Sequence, residues 1–321
     1  PLLDLIGEAT ALAREQGNLD YAPEQTPADN PATYRLLREG RTAGILPLES
    51  PNLRRRMRQG QPADLHSLIR ILRKSEDQED KAELDFPAIL LCHVCASIKA
   101  RHPLAFYAAA LSQANGDIRR LGLILEEIRE RNIRIAPLHI NYSFWRWTVE
   151  RETLRPGFLI VKAMTAGAGQ EIVKKRRELH FADLAELCQR TDKGLLKGNQ
   201  LKALLHAGTF DCWEMPRMTM ERQLEEIFPL LRPANGQRNN TDNFSFFGQD
   251  AGWWVRHYGT PEKEEQPEDN PDVMAAQEEA SIVYPLRQIV HETEKRFLRD
   301  AAVRHVPKLA LKGAGQLVTI A

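Results

Sequence analysis

At 321 residues the chain is long enough for two or more domains with real cores, and its 44 Lys and Arg are matched by 44 Asp and Glu, so bulk charge announces no nucleic-acid partner. An apolar fraction of 42% is that of an ordinary globular protein, and four cysteines are too few for a disulfide framework, which places the chain in a reducing compartment. The longest apolar stretch, Phe86 to Ile98, contains His93 and is too short to span a bilayer, and no secretory signal opens the sequence.

In chain order, Leu2, Leu5, Ile6 and Ala9 share one face of a helix over Pro1 to Glu15. Asn30-Pro31 supplies a cap and a first-turn proline for a helix that Gly40 ends. Ala43 to Leu46 reads as a short extended run, and Ser50-Pro51 starts a helix carrying Arg54, Arg55, Arg56 and Arg58. Leu65 to Leu72 is amphipathic, and Ser75 to Glu83 is mostly charged. Phe86 to Lys99 and Pro103 to Gln113 read as a buried helix and one packed on it, and Asp117 caps a helix over Ile118 to Arg131. Ile133 to Ile140 and Phe144 to Val149 look extended, the second with alternation that favours a core or half-buried place for Trp145 and Trp147. Met220 to Leu231 and Val273 to Asp300 are helical, separated by a polar, acidic, proline-containing linker that includes Glu262 to Asp272. The fold class is mainly α with a few short strands.

The chemistry concentrates between Phe158 and Asp211. An apolar run, Phe158 to Val161, precedes the glycine hairpin Met164 to Gly169 and the basic segment Glu171 to Arg177. A second amphipathic segment, Leu195 to His206, is closed by Gly208. This is the pattern of a tandem helix-hairpin-helix module. Gly167 and Gly169 would let the backbone approach a phosphate, with positive φ available. The amides from Thr165 to Gly169, Ala168 included, would point at the anion along the helix dipole. Lys174, Lys175, Arg176 and Arg177 would add salt-dependent contacts to a DNA backbone. The same residues also fit an ordinary αα-turn with a basic surface helix. Arg54 and Arg55 suit either phosphates or a solvated helix face. Cys92 and Cys95 form one CxxC around His93, but a structural zinc needs four ligands, and buried small side chains are the better reading, so no metal is expected. Asn243-Phe244-Ser245-Phe246-Phe247 is an aromatic cluster in the polar linker, suited to docking or to folding back on its own domain, and Trp253 and Trp254 stay open between base stacking and packing. No DxD pair, P-loop, dinucleotide fingerprint or nucleophile elbow occurs, so no catalytic residue is expected in this chain.

Several stretches, in order, resemble the alpha subunit of bacterial DNA polymerase III, the C-family replicative polymerases. Thr33 to Ser50, ending in Leu48-Glu49-Ser50, resembles the family's early fingers segment, with Pro47 where glutamine is usual. His102-Pro103-Leu104-Ala105-Phe106-Tyr107 and Ile135-Ala136-Pro137-Leu138-His139-Ile140-Asn141 resemble two further elements, His139 standing where aspartate is usual. The hairpin module resembles the family's helix-hairpin-helix pair down to Ala207-Gly208-Thr209-Phe210-Asp211. Asn243 to Phe247 is similar in position to its sliding-clamp peptide, with Asn243 replacing glutamine and Phe244 and Phe246 replacing aliphatics. Tyr284-Pro285-Leu286 resembles a further element that has lost its histidine, and Leu317 to Ala321 looks like the first strand of an OB-fold.

The resemblance implies shortened fingers over 1–114, a helical and extended connector over 115–156, the tandem module over 157–232, a clamp-binding linker over 233–272, and a helical segment leading into the OB strand over 273–321. It implies DNA bound by its backbone, a sliding clamp and other replisome or repair subunits as partners, and a bacterial cytoplasmic, nucleoid-associated location without membrane contact. The chain is expected to be a piece of a longer protein. The family's palm aspartates and their magnesium would precede Pro1, so no cofactor is expected here. Between Arg73 and Phe86 the family's long nucleotide-binding stretch is replaced by a short charged run, which implies loss of the incoming-nucleotide site. Against this stand a decayed structural scaffold and a piece of an active polymerase whose palm lies upstream.

Overall fold

A computed structural model describes residues 1–17, 22–73, 84–192, 194–231 and 270–283; for Glu24 and residues 226–231 it describes the backbone only. The N-terminal helices follow their sequence signals closely. Helix α1 (Leu2–Glu15) buries Leu5, Ile6, Ala9 and Ala13 along one stripe. Helix α2 (Pro31–Arg38) starts where the Asn30 side chain accepts from the Ala32 amide at 3.0 Å and stops at Gly40, whose φ of +69° suits a residue without a Cβ. Ser50 caps α3 (Pro51–Gly60) by accepting from the Leu53 amide at 3.2 Å, and α4 (Leu65–Arg73) packs against it.

Asp85 caps α5 (Phe86–Arg101) by accepting from the Ala88 amide at 2.8 Å. This helix is apolar on most sides, and α1, α2, α4 and α6 (Pro103–Gln113) pack on it. Cys92 and Cys95 lie in this core with His93; burial pushes the Cys92 thiol up to about 12 and the Cys95 thiol up as well, so both are packing groups. Asp117 starts α7 (Ile118–Glu130), accepting from the Arg120 amide at 3.1 Å.

The loop between α2 and α3 differs from the expected extended run: Ala43 to Leu46 forms turns. Its backbone groups find buried side chains in place of a neighbouring strand. Lys99 Nζ donates to the Arg41 and Ala43 carbonyls at 3.0 and 2.5 Å and pairs with Glu127 at 2.6 Å. Glu127 accepts from the Ala43 amide at 3.1 Å and from the Tyr107 hydroxyl at 2.6 Å. Glu49 accepts from the Gly44 amide at 2.8 Å and from Arg120 at 3.0 Å. Gly44 sits at φ +86° against Phe106 and Ala110, where a side chain has neither the conformation nor the room.

The extended stretches also shrink. Strand β1 is only Arg134–Ile135, ended by Pro137, which has no amide to donate; β2 is Thr148–Glu150; and an unforeseen β3, Thr153–Arg155, pairs antiparallel with β2 and parallel with β1. Phe158–Ile160 forms a single 3₁₀ turn, followed by α8 (Ala166–Arg176), α9 (Leu184–Arg190), α10 (Gly198–His206) and α11 (Arg217–Leu231). Helix α12 (Pro271–Ser281) returns to the module: Val161 bridges to Ile282, and Arg217 pairs with Glu278 at 2.9 Å. One cluster of buried apolar side chains runs from Leu5 to Ile282. No helix among the described residues is long and apolar enough to cross a membrane. Residues 243–247, Trp253, Trp254, residues 284–286 and the expected OB strand at 317–321 lie outside the described residues, as does most of the charged run after Arg73.

Candidate nucleic-acid interface

The glycines of the hairpin motif are in a different place from the one their spacing suggests. Helix α8 begins at Ala166, so Gly167 and Gly169 lie within its first turns and neither has a positive φ. The tight turn is earlier and has no glycine: the Met164 amide donates to the Val161 carbonyl at 3.0 Å across Lys162 and Ala163. Thr165 is the N-cap, its hydroxyl accepting from the Ala168 amide at 3.3 Å, which commits that amide within the chain. A methyl on Gly169 would sit 2.5 Å from Cε3 of Trp145, so this glycine admits an indole rather than a phosphate. At Gly167 the nearest atom would be Leu195 Cδ2 at 3.6 Å, an ordinary contact.

Two helix starts are held side by side. Gln200 Nε2 in α10 donates to the Ala163 carbonyl at 3.3 Å and to Thr165 Oγ1 at 3.4 Å, while its Oε1 accepts from the Lys197 amide at 2.8 Å. Buried Glu171 in α8 accepts from the Asp192 amide at 3.1 Å, anchoring the turn that leads into α10. The first-turn amides of Ala166, Gly167, Gly198 and Asn199 have no intrahelical acceptor, and the two dipoles add there. Thr165, Ala166, Lys197 and Asn199 are exposed around them. Paired open helix N-termini with a nearby ammonium have the chemistry to attract an anion.

The basic run at the other end of α8 divides. Lys174 and Arg177 are exposed and Lys175 is half-buried. Arg176 is not available to DNA: only 7% exposed, it donates through Nη1 to the Ile140 and Ser143 carbonyls at 2.8 and 2.6 Å and lies 4.8 Å over the Phe144 ring. Burial lowers its pKa to about 10, which leaves it charged at neutral pH. An eleven-residue helix is about 16 Å long, so this run lies well away from the open amides. It neutralises the α8 C-terminus more directly than it flanks the helix start. At the start itself, the exposed Lys162 donates through Nζ to the Glu279 and Ala280 carbonyls of α12 at 3.2 and 2.8 Å, and Lys197 is a further exposed cation. Gln200, Glu171 and Lys197 had no motif to mark them. Their one local signal is Lys197-Gly198-Asn199, a turn-like triplet inside what reads as one amphipathic segment.

The α3 arginines divide similarly. Arg54 is half-buried, with Nε donating to Thr42 Oγ1 at 3.2 Å; Arg56 reaches the Ile71 carbonyl; Arg58 Nε donates to the Glu39 carbonyl at 3.3 Å; Arg55 stands exposed. His139 replaces a carboxylate as a turn cap: its Nδ1 accepts from the Asn141 amide at 3.1 Å, and Asn141 in turn exchanges hydrogen bonds with the Phe181 backbone at 2.9 Å. Burial, with Arg155 and Arg176 nearby, lowers His139 to about 4, so the imidazole is neutral and can accept. No group of three His, Cys, Asp or Glu among the described residues is placed to hold a metal ion.

Residues 132–220 match the helix-hairpin-helix motif, and residues 2–73 match the finger domain of the bacterial DNA polymerase III alpha subunit. The chain is related to bacterial DNA polymerase III alpha subunits. It is 29% identical to that of Halalkalibacterium halodurans over 47% of this chain and 14% of that protein. Against the subunit of Xylella fastidiosa (strain Temecula1) it is 28% identical over 56% of this chain and 15% of the relative. Against that of Bacillus subtilis (strain 168) it is 30% identical over 39% of this chain and 11% of the relative. The chain therefore aligns with only a small part of the length of these polymerase subunits. Its described part is a helical fingers domain followed by a helix-hairpin-helix module, as in the fold read from its sequence.

Proposed function

We propose that this chain serves a DNA polymerase III alpha-like protein in replication or repair by holding the backbone of duplex DNA at the paired starts of α8 and α10. The observation that carries the reading is the Gln200 bridge, which places two sets of unpartnered first-turn amides together beside exposed Lys197. Contacts of this kind recognise phosphate and not base sequence. Lys174 and Arg177 would meet the backbone at a second, more distant point. Asn243 to Phe247 is proposed to dock on a sliding clamp, on the strength of its resemblance and position. The catalytic carboxylates and their magnesium are proposed to lie outside this chain, which by itself would extend no primer. A bacterial cytoplasmic location is proposed on the strength of the same relationship.

The test introduces carboxylates at the open helix starts. Ala166→Glu and Asn199→Glu are favourable for the helices themselves, because a negative charge suits a helix N-terminus. Fluorescence anisotropy with a labelled duplex should show about tenfold weaker binding for each, with unchanged melting temperature. Duplex binding equal to that of the parent chain would end the reading. A second reading, a scaffold whose DNA surface has decayed, draws on the inward turn of Arg176 and Gly169. Absent or salt-independent DNA binding by the parent chain would favour it.

A further inference from the structure

We infer that the rings of Tyr142, Phe144 and His180, gathered at the C-terminal end of α8, stack the unpaired bases of single-stranded DNA. Tyr142 and Phe144 are each 46% exposed, while Ser143 between them is buried. Leu179 and His180, on the stretch that follows α8, are exposed as well. The Tyr142 ring lies 4.5 Å from that of His139 and meets that of His180 edge-on at 5.4 Å. Apolar rings grouped at the surface mark a place where something binds.

The turn that carries the rings is fixed before any ligand arrives. Arg176 donates through Nη1 to the Ile140 and Ser143 carbonyls at 2.8 and 2.6 Å, and through Nη2 to the Tyr142 carbonyl at 3.4 Å. The Ser143 hydroxyl accepts from the His139 amide at 3.1 Å, and the Phe144 carbonyl accepts from the Phe158 amide at 2.8 Å. A ring held this way loses little freedom on binding.

Charge selects the ligand. The Arg176 guanidinium lies 4.8 Å over the Phe144 ring, and its partners are carbonyls; among the described residues no carboxylate pairs with it. The like charges of Arg155 and Arg177 add to burial in lowering its pKa. Arg155 lies 5.7 Å over the Tyr142 ring and is paired with Glu150 at 2.5 Å. Arg177 is exposed, next to the one acid of that stretch, Glu178. Buried positive charge therefore stands beneath half-exposed rings without a full counter-charge. A base on Phe144 completes an arginine–ring–base stack, and the charge below draws the phosphates of the same strand. An apolar protein segment would use the rings and not the charge, and a duplex keeps its bases stacked away from the rings. The surface uses different residues from the paired helix starts and stands whether or not those hold a duplex.

Fluorescence anisotropy of the full chain with a labelled oligothymidylate tests this, in the Ala166→Glu, Asn199→Glu background so that the helix starts contribute little. Phe144→Leu and Tyr142→Leu keep an apolar side chain but remove the ring. Each should weaken binding about tenfold and leave its salt dependence unchanged, because no phosphate contact is lost. Without either substitution, an abasic strand with the same phosphates should bind about tenfold more weakly than oligothymidylate, a comparison that does not depend on a variant folding. Equal binding of the abasic and thymidylate strands, or oligothymidylate binding unchanged in both leucine variants, overturns the proposal. Failure to bind oligothymidylate also overturns it and leaves the rings to a protein partner.

Discussion

Around the α2–α3 loop Lys99 of α5, Glu49, and Arg120 and Glu127 of α7 are turned inward and consumed by one loop, whereas in the hairpin module two helix starts and Lys197 are left facing water. The first arrangement satisfies backbone groups that have no strand partner. The second leaves first-turn amides for an external anion. Charge that serves the fold is recognised here by complete pairing and burial, and charge that serves binding by incomplete pairing next to oriented dipoles. Within the module the same division separates Arg176 from Lys197. Both are basic residues in a motif, but only the second is exposed.

The sharpest way to break this comparison is at Lys99. Lys99→Met leaves Glu127 buried without its cation and should cost about 3–5 kcal/mol in urea unfolding. A loss no larger than at an exposed lysine would mean that the inward charges do not hold the loop. The two glycines of α8 come next, with opposite signs. Gly169→Ala forces Trp145 aside and should destabilise by about 1–3 kcal/mol. Gly167→Ala has room and should stabilise the helix by about 0.4–1 kcal/mol. Thermal melts of the pair decide whether packing or backbone approach explains the motif.

A pH titration of stability sharpens the connector that carries the module. With the His139 pKa lowered from its ordinary 6.5 to about 4, the unfolded chain holds the extra proton between those values. Stability therefore falls as pH drops through that window and is fully present above it. His139→Asn keeps an acceptor for the Asn141 amide without titrating, so its denaturation midpoint should change less between pH 7 and 4 than the parent's. The smallest effect is at the module's surface. Lys197→Ala should leave the melting temperature alone and reduce the salt dependence of duplex binding by about 0.9 in log–log slope, the equivalent of one phosphate contact. An unchanged slope would remove Lys197 from the interface.

Most of the helical frame was legible in the sequence because it depends on neighbours a few residues apart. Asn30, Ser50, Asp85 and Asp117 cap their helices from adjacent positions, and the α1 stripe follows from a period of 3.6. The fingers and hairpin assignments rest on ordered local motifs and were readable for the same reason. The α2–α3 loop was not, because its partners Lys99 and Glu127 lie 56 and 84 residues away from Ala43. Nor was the role of the two hairpin glycines legible. Gly-x-Gly marks small residues without saying whether a phosphate, a turn or Trp145 needs the space, and only the fold brings Trp145 onto Gly169.

The sequence by itself determined that this is a helical chain with a fingers segment and a paired hairpin module, since capping, periodicity and motif order are local or linear properties. Tertiary structure alone decided which charges are available. Burial and long-range partners withdrew Arg176 and Lys99 from solvent, carbonyls of α12 engaged the exposed Lys162, and the Gln200 bridge brought the Ala166–Gly167 and Gly198–Asn199 amides to one surface. The physical reason is that desolvation and hydrogen-bond pairing depend on what surrounds a side chain in space, and neighbours in the chain do not specify it.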